Sequence, residues 1–304
     1  MGRAAWTAII GIAAAAVSAA QQQPTFRTAT DLVAFSVIVT DKQGAPITGL
    51  TKDDFRVVED GHDQAVQFFV AGQPDTAPPL HLGLLLDMSG SMADDLAAAR
   101  SAAVKFVNAM TRAVDVTLVD FDTQVRVARF GLDDYPRLVE RIRTGEAQGD
   151  TALFDALGVY LDGAGQQTGQ KVLVLYTDGG DNGSALTYDG ALDLLKASDV
   201  TVYAIGYLGH ARHRGSLAER MELQRFAAIT GGETYFPDGR TDLDAVFARI
   251  QREVASRYSL GYVSSDHRTD GAWRSVAITL RRPDLERARI RTRTGYFAPY
   301  KPGT

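Results

Sequence analysis

Cysteine is absent from all 304 residues. That excludes disulfides, thiolate zinc sites, a cysteine nucleophile and an acylated lipoprotein cysteine. It leaves the compartment open, because oxidising and reducing environments both tolerate a Cys-free chain. A strong charge of either sign is also lacking. The formal net charge is −5, so bulk attraction to nucleic acid is not expected. No Gly-x-Ser-x-Gly elbow and no phosphate-binding Gly-rich loop occurs, which argues against hydrolase and nucleotide chemistry. After residue 20 no apolar run is long enough to span a bilayer.

What is present begins with a leader. Arg3 supplies a positive start, Trp6 to Val17 is an apolar Ala/Ile-rich stretch, and Ser18-Ala19-Ala20 offers small residues before Gln21. This pattern predicts a secretory signal peptide over residues 1–20, cleaved after Ala20, and a secreted or periplasmic mature protein. An uncleaved anchor is the alternative.

Residues 21–79 read as a β segment ending in the Gly/Pro linker 71–79. Val33, Phe35, Val37 and Val39 alternate with less apolar neighbours, as in a half-buried strand. Further strands are expected at Phe55 to Glu59 and Ala65 to Val70. Residues 80–258 then alternate strand and helix patterns. They predict an α/β domain with a doubly wound, mainly parallel sheet and one antiparallel hairpin at Val116 to Phe130. From Tyr258 the period returns to two. Residues 259–304 are expected to form β structure that packs with the first segment into a small β-sandwich, the α/β domain being inserted between them.

The chemistry is concentrated at three strand ends. Leu84-Leu85-Leu86-Asp87-Met88-Ser89-Gly90-Ser91-Met92 is a buried strand stopping at an acid, followed by two alternate hydroxyls and a helix start. Ligand sites in open α/β sheets form beyond the carboxyl ends of strands. The functional atoms there are all oxygens, which suits a hard cation such as Mg²⁺. Gly149-Asp150-Thr151 precedes a second helix, and Val172 to Tyr176 leads through Thr177 into Asp178-Gly179. Taken singly, each has a plainer account. Ser89, Ser91, Asp150 and Thr151 could cap helices, and Asp178 could be a turn residue.

Asp87-x-Ser89-x-Ser91, Thr151 and Asp178, in that order, resemble the metal-ion-dependent adhesion motif of von Willebrand factor A-type domains. The whole layout resembles the bacterial secreted proteins related to that family, including Val57-Val58-Glu59-Asp60-Gly61 and the closing Gly295-Tyr296-Phe297-Ala298-Pro299. The resemblance implies a fold, a cofactor and a partner. Ser89 and Ser91 would ligate the cation directly, and Thr151 would do so when a ligand is engaged. Asp87 and Asp178 would act through bound water. Mg²⁺ is the expected ion, with Mn²⁺ or Ca²⁺ as alternatives. The partner would be a protein offering an Asp or Glu carboxylate to the open coordination position.

Met88, Gly90, Asp150, Gly179, Asp181 and Asn182 would form the partner-binding rim. Gly180 stands where relatives often carry an acid, leaving that rim less charged. Asp94 and Asp95 resemble an adjacent second cation site, although acids in a helix's first turn also suit its dipole. His210 and His213 have metal-ligand spacing but lie in a Gly-flanked loop, and the alternating arginines 287 to 293 read as a solvated strand face. The expected function is non-enzymatic protein binding. A metal-stabilised structural envelope protein and a metal-dependent hydrolase are the alternatives.

Overall fold

A computed structural model describes residues 32–72, 77–206, 217–238 and 240–301. The expected leader, the middle of the linker and the pair His210/His213 lie outside them. Among the described residues, strands from both ends of the chain enclose a central α/β unit. The leading strands are β1 (Leu32–Thr40), β2 (Phe55–Glu59), β3 (His62–Gln64) and β4 (Phe68–Val70). The closing ones are β11 (Tyr258–Val263), β12 (Trp273–Leu280), β13 (Arg289–Arg291) and β14 (Gly295–Phe297). Between them run β5 (Leu80–Asp87), α1 (Leu96–Ala109), β6 (Ala113–Phe121), β7 (Val125–Gly131), α2 (Tyr135–Thr144) and α3 (Leu153–Gly165). They are followed by β8 (Gln170–Thr177), α4 (Tyr188–Ala197), β9 (Thr201–Gly206), α5 (Leu217–Ile229), β10 (Thr234–Tyr235) and α6 (Arg240–Ser256).

The central sheet has the order β10-β9-β8-β5-β6-β7. All its pairings are parallel except β6 with β7, the edge hairpin. All eight residues of β5 are buried, as expected of a strand covered on both faces. Its side chains alternate between two cores. Leu82, Leu84 and Leu86 pack with residues of α1, α2 and α6, whereas Leu85 packs with residues of α3, α4 and α5. Within α1, Leu96, Ala99, Ala103 and Phe106 recur at helical spacing and are all buried. Burying Phe106 alone contributes roughly 1.5–3 kcal/mol.

Chain direction through this sheet positions the site. From β5 the chain moves through α1 to β6 on one side, and only later returns to β8 on the other. The carboxyl ends of β5 and β8 therefore flank the crevice where the strand order reverses, the place such sheets bind ligands.

Two antiparallel sheets, β13-β1-β11-β4 and β14-β12-β2-β3, enclose a third core built from Phe35, Val37, Phe55, Tyr258, Leu260, Tyr262 and Tyr296. One acid is buried there. Glu59 accepts hydrogen bonds from Tyr262 Oη at 2.7 Å, Tyr296 Oη at 3.0 Å and the Ser264 hydroxyl. Three donors offset the cost of burying its carboxylate.

Two local expectations differ from the structure. The strand expected from Ala65 to Val70 is confined to its end, β4, and a strand not expected, β3, precedes it. Asp60 and Gly61 both take positive φ, 45° and 85°. That two-residue turn starts the return strand at once, at polar His62, and the chain then crosses to the other sheet as β4. The arginines 287 to 293 are not one solvated face. Arg287 and Arg289 are exposed, but Arg291 and Arg293 turn inward. Arg291 pairs with the fully buried Glu253 of α6, and the Arg293 guanidinium lies 4.5 Å over the Phe35 ring.

Candidate metal centre

The three motif loops converge at the β5/β8 crevice. Asp87, at the end of β5, is completely buried. Its Oδ1 accepts the Ser89 N–H at 2.9 Å, and its Oδ2 accepts the Thr177 hydroxyl at 2.6 Å. Thr177 Oγ1 in turn accepts the Gly179 N–H at 3.1 Å, tying the first loop to the third. Burial pushes the Asp87 carboxyl up to about 6 despite bonds from Ser89 and Thr177, and neighbouring Asp178 pushes in the same direction. A buried carboxylate without a counter-charge is costly, and a cation here would lower that cost.

The second loop is locked to the first. Gly90 N–H donates to Gly149 O at 3.1 Å, and Gln148 N–H to Met88 O at 2.8 Å. Gly149 has φ +70°, and a Cβ there would lie 2.4 Å from Thr123 Oγ1, so only glycine fits. Thr123 Oγ1 accepts the Asp150 N–H at 2.8 Å, and Asp122 O accepts the Ala152 N–H at 2.9 Å. The β6–β7 hairpin thus carries the Thr151 loop.

Third-loop side chains hold that loop from the other side. Asn182 Oδ1 accepts the Thr151 N–H at 2.7 Å, while Thr151 O accepts the Asn182 and Gly183 N–H groups. Asp181 Oδ1 accepts the Phe154 N–H at 3.1 Å and the Ser184 hydroxyl at 2.6 Å. Asp155 reciprocates by accepting the N–H groups of Ala185 and Leu186.

The hydroxyls are not used as helix caps. Ser89 starts a short 3₁₀ turn without a side-chain cap bond, α1 begins after Asp95, and α3 begins after Ala152 rather than Thr151. Ser89 Oγ lies 3.0 Å from Ser91 Oγ. Ser89 and Thr151 are buried, whereas Ser91 is exposed and Asp178 half-buried. No described residue hydrogen-bonds the Thr151 hydroxyl. Among the described residues no group of three or more His, Cys, Asp or Glu side chains is placed to hold a metal. A cation at this crevice would rely on the three hydroxyls and on Asp87 and Asp178, an all-oxygen set that fits Mg²⁺.

The expected rim is only partly a rim. Gly90, Asp150 and Asn182 are exposed and Asp181 is half-buried. Met88 is 1 % exposed and belongs to the core beside α1, because the strand-end alternation turns its side chain inward. Gly179 is buried as well, with φ +107°. Asp94 is exposed and Asp95 half-buried at the start of α1. Sequence reasoning missed Thr177, Thr123 and Asp122, which orient the loops. The hydroxyl of Thr177 directly before Asp178 was the available signal.

The family model for the von Willebrand factor type A domain matches residues 81–267. No curated protein matches the sequence. Among solved structures, a von Willebrand factor type A protein from Catenulispora acidiphila aligns with a TM-score of 0.50 at 13% identity, covering 89% of this chain and 74% of that one. The pilus adhesin SpaC from Lactobacillus rhamnosus GG aligns at 0.51 and 11% identity, over 86% of this chain and 49% of SpaC. The PilB minor pilin from Streptococcus sanguinis aligns at 0.51 and 16% identity, over 60% and 62%. The chain thus spans about half of SpaC and under two thirds of PilB.

Proposed function

The chain belongs to the von Willebrand factor type A domain family, and on that premise we propose a non-enzymatic, protein-binding module of adhesion or scaffold type. It acts outside the cytoplasm and engages an Asp or Glu carboxylate of a protein partner through a divalent cation, Mg²⁺ first. Ser89, Ser91 and Thr151 are the proposed direct ligands, with Asp87 and Asp178 acting through water. When bound, the ion would supply an electrophilic position for the partner's carboxylate. The neutral hydroxyl ligands would leave much of its charge uncompensated.

One observation carries this reading. Three loops from separate strand ends are hydrogen-bonded to one another so that uncapped hydroxyls and two acids meet at the sheet's switch point. Solved structures of the same fold include a pilus adhesin and a minor pilin, and a surface role of that kind is proposed here. No helix of the described residues is long and apolar enough to cross a membrane. Against enzymatic turnover, His81 is committed at the opposite end of β5, where Nδ1 meets Asp115 and Nε2 meets Thr168 O, each at 3.0 Å. His62 begins β3 and His267 lies between β11 and β12, so none of the described histidines belongs to the three motif loops.

Calorimetric titration with Mg²⁺, followed by affinity capture from an envelope extract with Mg²⁺ or chelator, tests the proposal. Saturable Mg²⁺ binding and partners lost under chelation are expected. Metal binding that raises thermal stability without any chelator-sensitive partner would favour a structural role. Turnover of generic ester or phosphate substrates would overturn the non-enzymatic reading.

A further inference from the structure

The sandwich contains an open strand edge that the metal centre does not use. β14 pairs with β12 only from Trp273↔Phe297 to Ser275↔Gly295, and Val276 N–H makes the last bond, to Thr294 O at 2.9 Å. Beyond it β13 leaves to pair with β1 at Ile38–Thr40, in the other sheet. The two strands diverge and leave a cavity of about 550 Å³, lined by Val276–Ile278, Arg289–Thr294, the end of α5 and the segment Gly231–Thr234 that follows it. That volume lies in the range of ligand-sized clefts.

Peptide groups alternate in direction along an antiparallel strand. Ser275 O and Arg281 N–H bond toward β2, to Asp60 and Asp54, whereas Val276 N–H points the other way. By that alternation Ile278, which lines the cavity, and Leu280 turn their N–H and C=O groups to the β14 side, where no described strand pairs with them. Natural edge strands are blunted by charge or proline. Val276-Ala277-Ile278-Thr279-Leu280 carries neither; Arg281, Arg282 and Pro283 come only after it.

Charge indicates the occupant. Arg289 lines this cavity and Arg287 stands two residues before it; both are exposed and have no ion-pair partner among the described residues, on a chain of net charge −5. A second copy pairing edge to edge would bring these same arginines together, which disfavours self-association. We propose that this wedge is a second docking site, which takes an extended acidic segment of a partner protein as an added strand on β12. Ile278 and Leu280 supply main-chain bonds, and Arg287 and Arg289 read carboxylates on alternate positions. Past that last bond the four residues Ala277 to Leu280 give an open edge about 14 Å long.

The test uses the purified chain in EDTA, so that the metal centre cannot contribute. The probes are fluorescein-labelled, end-blocked nonapeptides: one alternating Glu and Val, one alternating Lys and Val, and the Glu/Val peptide with its central Val replaced by Pro. Anisotropy should show binding of the first, with the other two at least tenfold weaker. The variant Arg287→Glu/Arg289→Glu, with an unchanged melt, should lose at least tenfold for the Glu/Val peptide. Amide exchange measured by NMR should slow at Ile278 and Leu280 on binding. The proposal is overturned if the Glu/Val peptide does not bind, if both charge types bind equally, or if the charge-reversed variant binds unchanged. Undiminished binding of the proline peptide would overturn strand addition and leave only a polyanion patch. A dimer in sedimentation that the variant dissociates would make a second copy the occupant and overturn the partner.

Discussion

Thr151 is placed by others while no described residue bonds its own hydroxyl, the arrangement of a ligand in reserve. Its N–H goes to Asn182 and its carbonyl to the N–H groups of Asn182 and Gly183. If the oxygen joins the cation when a partner carboxylate arrives, it matters more to the complex than to the free site. Thr151→Ala is expected to weaken partner binding by roughly tenfold to a hundredfold, about 1–3 kcal/mol, and Mg²⁺ affinity only modestly. Thr151→Ser should keep most of both. Parallel titrations with Mg²⁺ and with an acidic peptide from a captured partner decide this, and wild-type partner binding by Thr151→Ala would sink carboxylate bridging. Asp87 has a second task, because it is buried and satisfies Ser89 N–H and the Thr177 hydroxyl. Asp87→Ala should lose Mg²⁺ binding and also about 1–3 kcal/mol of stability for each stranded donor, whereas Asp87→Asn should lose the metal with a smaller drop in melting temperature. At this scale the oxygen-bearing positions were legible, because an acid and two hydroxyls interrupt an apolar run. The burial of Met88 was signalled as well, because it continues the alternation of Leu82, Leu84 and Leu86 into the same core, but the family resemblance placed it on the rim.

Among the elements, the β6–β7 hairpin does more than close the sheet's edge. Asp122 bonds the N–H of Gln124, pairs with Arg126 through both carboxylate oxygens, and gives its own carbonyl to Ala152. Burial pushes the Asp122 carboxyl up, but the Arg126 pair and the Gln124 N–H outweigh it and hold the group below its ordinary range. A carboxyl depressed in the folded state contributes stability that is complete above its unfolded value, about 3.9, and is lost as pH falls through the lower folded value. Thermal melts between pH 5 and pH 2 should therefore fall less steeply for Asp122→Asn than for the wild type. Equal slopes would remove Asp122 from the list of groups holding the Thr151 loop. The hairpin itself was readable from two alternating runs around Asp122-Thr123-Gln124. β3 was not, because an edge strand of His62, Asp63 and Gln64 carries no apolar signal and only the Asp60-Gly61 turn announces it.

Across the whole molecule, the α/β unit and the sandwich share buried groups. Ile38 of β1 packs into the core formed with α1 and α6, and Arg291 of β13 pairs with Glu253 of α6. The two-period patterns at both chain ends implied a shared sandwich, yet nothing in the spacing of Arg287 to Arg293 announced that Arg291 would meet a helix acid. Removing the sandwich should therefore cost the α/β unit stability even though its own core is intact. Excised residues 80–258 are expected to fold, with a cooperative melt at a lower temperature than the full chain. Much of the difference is expected at Glu253, which is fully buried. Stranding a buried charge costs roughly 3–5 kcal/mol. Here Arg249 Nε still bonds Glu253 at 3.1 Å and Tyr235 Oη lies at 3.4 Å, so Arg291→Met should cost less than that range. Glu253→Leu combined with Arg291→Met removes both charges and replaces them with apolar volume, and should be more stable than Arg291→Met alone. Denaturant midpoints of the two singles and the double, each in the full chain, provide the cycle. If the double variant is no more stable than Arg291→Met, the cost of the single arises from lost packing of the arginine stem against α6 rather than from an uncompensated Glu253.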